Sequence, residues 1–71
     1  MRQALRFNEY RLKTDMTEKG WNVMELARMS GVSHMTIRRF LEGGAQTPRV
    51  GKKLADALGY PVARYLEKGQ G

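Results

Sequence analysis

Arg38 and Arg39 stand side by side, and Arg49, Lys52 and Lys53 follow them; between Ser33 and Lys53 the only acid is Glu42. A guanidinium presents a planar fork of donors that matches the O6 and N7 acceptors of guanine. Long basic side chains also neutralise phosphates, which makes binding fall with salt. Just before the arginines, Met35 offers an apolar contact to a thymine methyl, and His34 can donate to a base acceptor or a phosphate. The blander alternative is a solvated helix face, with His34 an ordinary first-turn residue. The whole chain leans the same way. Thirteen Lys and Arg against seven Asp and Glu give a formal charge of +6 in 71 residues, with a pI near 10.2. Polyanions lead the list of partners.

Composition removes several other chemistries. There is no cysteine and one histidine, so disulfides and cysteine-based or multi-histidine metal sites are excluded. The lone histidine has no nearby acid in the sequence to orient it, and no glycine-rich phosphate loop follows a strand, so an enzyme is not expected. No cofactor or small-molecule ligand is implied. The apolar runs are too short for a signal peptide or a membrane span, and the lack of cysteine fits a reducing, cytoplasmic setting. A chain this small is expected to be one domain over residues 1–71.

The elements that must position the basic residues centre on Asn22 to Glu42. Asn22 caps a first helix, and Glu25 lies at the capping-box spacing. Leu26 and Ala27 point inward, and Gly31 takes a turn position where a Cβ is awkward. Ser33 caps a second helix that sends Ile37 and Phe40 or Leu41 to a core, leaving His34, Met35, Arg38 and Arg39 outside. Two helices joined by such a turn form the helix-turn-helix pattern, whose second helix enters the major groove.

The flanks read as further helices. Asn8 to Lys19 carries Leu12 and Met16 on one face, and Gly20 ends it. Residues 1–7 are an arm or the opening of that helix; Phe7 and Tyr10 pack over the core edge or support a dimer contact. Trp21 is a hydrophobic staple toward Leu26 or, less simply, a stacking platform for bases. Gly43 to Thr47 reads as a loop whose free N–H groups, at Gly44 among them, can meet phosphates. Thr47-Pro48 starts a helix with Val50, Leu54, Ala57 and Leu58 inward, in which Gly51 weakens the first turn or allows a close approach. Pro61 starts a fifth short helix bearing Val62, Tyr65 and Leu66, and residues 67–71 form a frayed polar tail. No strand is expected.

Leu26-Ala27, Gly31-Val32-Ser33, Ile37 and Gly43, followed by Leu54-Ala55-Asp56-Ala57-Leu58-Gly59, resemble the Cro/C1-type helix-turn-helix family of lambdoid phage repressors, Cro proteins and their bacterial relatives. The resemblance runs from about Asn8 to Leu66. It implies an all-α, lambda-repressor-like bundle of five short helices. It also implies base-contacting roles for His34, Met35, Arg38 and Arg39. Asn22, Ser33, Thr36, Gly44, Arg49, Lys52 and Lys53 become candidates for the DNA backbone. Two departures stand out. Val23 occupies a position where the family often has a phosphate-binding glutamine, a hydrogen bond valine cannot make. Met16 and Leu41 replace a buried arginine–glutamate pair found in several phage repressors, a paired exchange that packing tolerates.

The function implied is sequence-specific binding to double-stranded DNA, as a repressor that occupies an inverted-repeat operator. A homodimer is expected, with Val62 and Tyr65 as possible contacts. Alternatives are an antitoxin-like autoregulator, an architectural DNA-binding protein, or a protein-interaction module.

Overall fold

The computed structural model describes residues 5–44 and 46–68. Strand β1 (Leu5–Phe7) is followed by helices α1 (Glu9–Glu18), α2 (Val23–Ser30), α3 (His34–Leu41) and α4 (Pro48–Leu58). A single 3₁₀ turn (Val62–Tyr65) then leads into strand β2 (Leu66–Lys68). The strands pair antiparallel, with Leu5 opposite Lys68, Arg6 opposite Glu67 and Phe7 opposite Leu66.

Each helix begins where a side chain accepts from the backbone three residues on. Asn8, Asn22, Ser33 and Thr47 take the N–H groups of Arg11, Glu25, Thr36 and Val50, at 2.9–3.3 Å. Such caps are worth about 1 kcal/mol each. The reciprocal half of the capping box is not built, because the Glu25 carboxylate pairs with Arg28 instead.

Helix ends differ in a way that shapes the molecule. After α1, α3 and α4 the chain folds back through a paired closure. Trp21 N–H donates to the Met16 carbonyl (2.9 Å), Gly44 N–H to Arg39 (2.9 Å) and Tyr60 N–H to Ala55 (3.1 Å). At the end of α2 only Gly31 N–H donates back, to Ala27 at 2.9 Å, with Gly31 at φ +76°. Val32 N–H turns to the Ser30 hydroxyl (3.2 Å). The chain is thereby free to run straight into the Ser33 cap, which sets α3 against α2.

The core draws on every element. Leu12 and Met16, Leu26, Ile37, Phe40 and Leu41, and Leu54, Ala55 and Leu58 are buried, with Val32 plugging the corner. Met16 and Leu41 belong to this apolar core, in keeping with their paired exchange. Phe7 is 2% exposed, its ring centred 5.0 Å from that of Phe40. It lies directly on the backbone of α4, where a Cβ on Gly51 would come within 2.3 Å of its ring carbons. The close approach is thus the reason for glycine there. Tyr10 is 78% exposed. Trp21 is half-buried against the core with the Lys19 ammonium 5.4 Å from its ring centre, a packing role and not an open stacking platform.

The two chain ends correct the sequence-based expectation. Among the described residues there are four helices, not five. The segment after Pro61 makes one 3₁₀ turn, and Leu66 then goes extended to pair with Phe7. Strand pairing with β1 satisfies backbone groups that a fifth helix of a few residues would leave exposed at both ends. The arm before α1 and the tail from Glu67 therefore enter a sheet through Leu5–Phe7 and Leu66–Lys68; residues 1–4 and 69–71 lie outside the described residues.

An ion pair on a buried carboxylate pins this closure. The Asp15 carboxylate, 5% exposed, accepts from Arg64 Nε at 2.8 Å and Nη2 at 3.1 Å, and from the Tyr65 hydroxyl at 2.5 Å. Asn8 N–H donates to the Tyr65 carbonyl at 2.6 Å, and Arg64 stacks on the Tyr60 ring at 4.2 Å. The hydrogen bonds from Arg64 hold the Asp15 carboxyl below its ordinary range, against the opposing effect of burial. Burial, and next the bond to Asp15, push the Tyr65 hydroxyl well above the usual phenol range.

Candidate nucleic-acid interface

Helix α3 sorts its side chains cleanly. Ile37, Phe40 and Leu41 face the core, while Met35 (54% exposed), Arg38 and Arg39 face outward and His34 is half-buried beside them. Positions 34, 35, 38 and 39 repeat at i, i+1, i+4 and i+5, so they form one stripe. The ion pairs among the described residues are Arg28–Glu25, Lys52–Asp56 and Arg64–Asp15. Arg38 and Arg39 take part in none of them. The Ser33 hydroxyl both accepts from Thr36 N–H and donates to Thr36 Oγ1 at 2.9 Å. Ser33 and Thr36 thus lock the first turn of the stripe and leave the Thr36 hydroxyl proton to donate elsewhere.

The start of α2 lies alongside. Asn22 spends its side-chain oxygen on the Glu25 cap, which leaves its amide group as a donor at the helix end. Asn22, Val23, Met24, His34 and Arg38 line an open depression of about 360 Å³ between the first turns of α2 and α3.

The segment after α3 departs from the expectation. Gly44 cannot offer a free N–H to a phosphate, because that group donates to the Arg39 carbonyl. Glu42 and Gly43 likewise donate to carbonyls of α3, so these amides close the helix instead of facing outward. Gln46, which composition alone marks as one more polar loop residue, is half-buried and joins three elements. Its Nε2 donates to the Phe40 carbonyl at 2.8 Å and lies 3.4 Å from the Glu9 carboxylate; its Oε1 accepts from Phe7 N–H at 3.3 Å. The signal for Gln46 is not in the sequence, since its partners are up to 39 residues away.

On α4, Arg49, Lys52 and Lys53 are exposed. Both oxygens of Asp56 sit 3.1 Å from the Lys52 ammonium. That pair is solvent-exposed and weak, so a phosphate can replace Asp56 at little cost. The dimer candidates part company. Tyr65 is 1% exposed and committed to Asp15, so its side chain is withdrawn from any surface. Val62 is half-buried and borders an apolar cleft of about 240 Å³ with Phe7, Pro48 and Leu66.

The turn at Gly31, the capped pair of helices and the outward basic stripe together form a helix-turn-helix. The helix-turn-helix family model of Cro/C1 type matches residues 12–65, most of the chain. The chain belongs to that family. Matching the chain to curated proteins finds none similar enough to report. As a Cro/C1-type helix-turn-helix protein, it is a sequence-specific binder of double-stranded DNA of the transcription-regulator class, and the family is not one of enzymes. Among the described residues no helix is long and apolar enough to cross a membrane, and no group of three or more His, Cys, Asp or Glu is arranged to hold a metal.

Proposed function

We propose that the chain acts as one cytoplasmic unit, a repressor of Cro/C1 type that silences transcription by occupying an operator and excluding polymerase. The observation that carries this reading is the unpaired stripe of α3. Arg38 and Arg39 lie outside the ion pairs of the described residues, on a helix whose other face is packed into the core, and Arg49 and Lys53 of α4 share that freedom. Exposed guanidiniums without acids are poised for acceptors on a ligand. Arg39 reads a guanine, Arg38 a base or the backbone, Met35 a thymine methyl, and His34 a base acceptor or phosphate. Asn22, Ser33, Thr36, Arg49, Lys52 and Lys53 hold the flanking phosphates. The protein binds as a homodimer on an inverted repeat, with Val62 at or near the contact and no cofactor involved.

Selection from a randomised duplex pool at several salt concentrations tests the proposal. An inverted repeat is expected to be enriched, with affinity falling as salt rises. Arg39→Ala is expected to lose roughly 10- to 100-fold on the selected site, equivalent to about 1–3 kcal/mol, and to relax preference at one base pair per half-site. Binding without an enriched sequence, unchanged by Arg39→Ala, would leave a mere polycation. Sedimentation on and off the duplex separates dimer from monomer.

A further inference from the structure

We infer that the depression between the first turns of α2 and α3 is a receptor for the C5-methyl group of an operator thymine, with Val23 and Met24 as the residues that sense it. The inference rests on the DNA-binding reading above and adds a specificity determinant that the arginines do not supply.

Three observations lead to it. The apolar part of the depression's lining is Val23, half-buried against the core, and Met24, which is 61% exposed. Side by side they put contiguous apolar surface inside the hollow, and the Met24 part of it is open to a ligand. Second, the rim is polar and cationic: Asn22 presents its amide, His34 stands at the start of α3, and Arg38 belongs to none of the ion pairs of the described residues. Third, the hollow lies beside the outward stripe of α3, where a major-groove edge would run.

Charge decides the occupant. A second copy of this basic chain would bring further cations to Arg38, and an apolar peptide would bury that guanidinium without a partner. The ligand must carry negative charge at the rim and an apolar group against Val23 and Met24. Duplex DNA meets both requirements in one place only. Among the four base pairs, the thymine C5-methyl is the apolar group displayed in the major groove, close to the phosphates of its own strand. Valine at position 23 forfeits a hydrogen bond to phosphate but supplies the apolar wall that a methyl requires. The apparent defect at this position becomes a determinant of sequence.

The test replaces each operator thymine in turn by deoxyuridine, which deletes only the methyl. On wild-type protein, one thymine in each half-site besides the one that Met35 reads is expected to lose about fourfold in affinity on replacement, in keeping with one buried methyl. Val23→Thr and Met24→Gln, near-isosteric changes at incompletely buried positions, are expected to bind the thymine and deoxyuridine duplexes equally at that position. Met35→Ala is expected to leave the ratio there intact, which separates this site from the methionine on α3. Specific operator binding in which every deoxyuridine-sensitive position loses its sensitivity in Met35→Ala overturns the inference alone, and so does a ratio that survives both Val23→Thr and Met24→Gln. Absence of any sequence-specific binding removes the DNA-binding reading itself.

Discussion

Arg64 and Arg39 carry the same guanidinium, yet the fold treats them in opposite ways. Arg64 grips a buried carboxylate through two hydrogen bonds and stacks on Tyr60, in the region where the chain leads into the β1–β2 pair. Arg39 projects from α3 beside Arg38, outside the ion pairs of the described residues. In the first region the guanidinium finds its carboxylate within the chain, so the charge contributes to stability. In the second, the acceptors must come from outside, so the charge contributes to binding. The contrast implies that substitutions can separate folding from recognition.

The largest expected effect lies at the closure. Asp15→Ala leaves the buried Tyr65 hydroxyl without its acceptor and releases Arg64 to water, and is expected to cost about 2–3 kcal/mol. Urea unfolding measures it. The folded fraction should keep the wild-type base preference, since no residue of α3 takes part. The same pair sets an acid limb. Because the Asp15 carboxyl is held below its unfolded value, its contribution is complete above the unfolded value of about 3.9 and is lost as pH falls through the lower folded value. Asp15→Asn should therefore flatten the loss of stability below about pH 4. A wild-type urea midpoint in Asp15→Ala would show the pair to be idle.

These two regions were unequally legible in the sequence. The recognition unit is local: Asn22, Gly31, Ser33 and the spacing of Ile37 and Phe40 act over three to five residues, so caps, turn and inward face follow from short-range rules. The closure is not local. Asp15 meets Arg64 and Tyr65 across 49 and 50 residues, and a single acid in an amphipathic helix gives no sign of burial. From sequence Tyr65 accordingly reads as a possible dimer contact. The strands are three residues each, too short for a period-two pattern to rise above a helical one. Gly44 failed for another reason: a loop rich in glycine looks free, but the paired closure after α3 uses its amide.

Gly51 sharpens the comparison next. Adding a Cβ there drives it into the Phe7 ring, which is itself wedged against Phe40 and cannot swing to solvent. Overpacking costs about 1–3 kcal/mol, offset by up to about 1 kcal/mol of helix propensity gained over glycine. Gly51→Ala should therefore destabilise by about 1–2 kcal/mol in thermal unfolding. A stabilised variant would mean that β1 yields easily and that the closure is softer than its hydrogen bonds suggest.

Gln46 belongs to both regions, and it can break the comparison. It ties Phe7 of β1 to Phe40 at the end of α3 and precedes the Thr47 cap that leads to Arg49. Gln46→Ala removes three part-buried hydrogen bonds, two of them long, so a loss of about 1 kcal/mol in stability is expected. If the two regions are coupled through it, operator affinity should also fall by roughly fivefold at temperatures where the variant is fully folded, because the α3–α4 connection no longer fixes Arg49 relative to α3. Gln46→Glu is the sharper variant. It keeps the acceptor for Phe7 N–H, loses the donor to Phe40, and places a second carboxylate beside that of Glu9, now 3.4 Å from Nε2. Adding Glu9→Gln relieves the repulsion and returns an amide to the site, so the double variant should regain part of both stability and affinity. Affinity that tracks only the unfolded fraction, through all three variants, would show that closure and recognition are independent. Affinity that falls in the folded protein and returns with Glu9→Gln would make the terminal sheet a support for DNA binding.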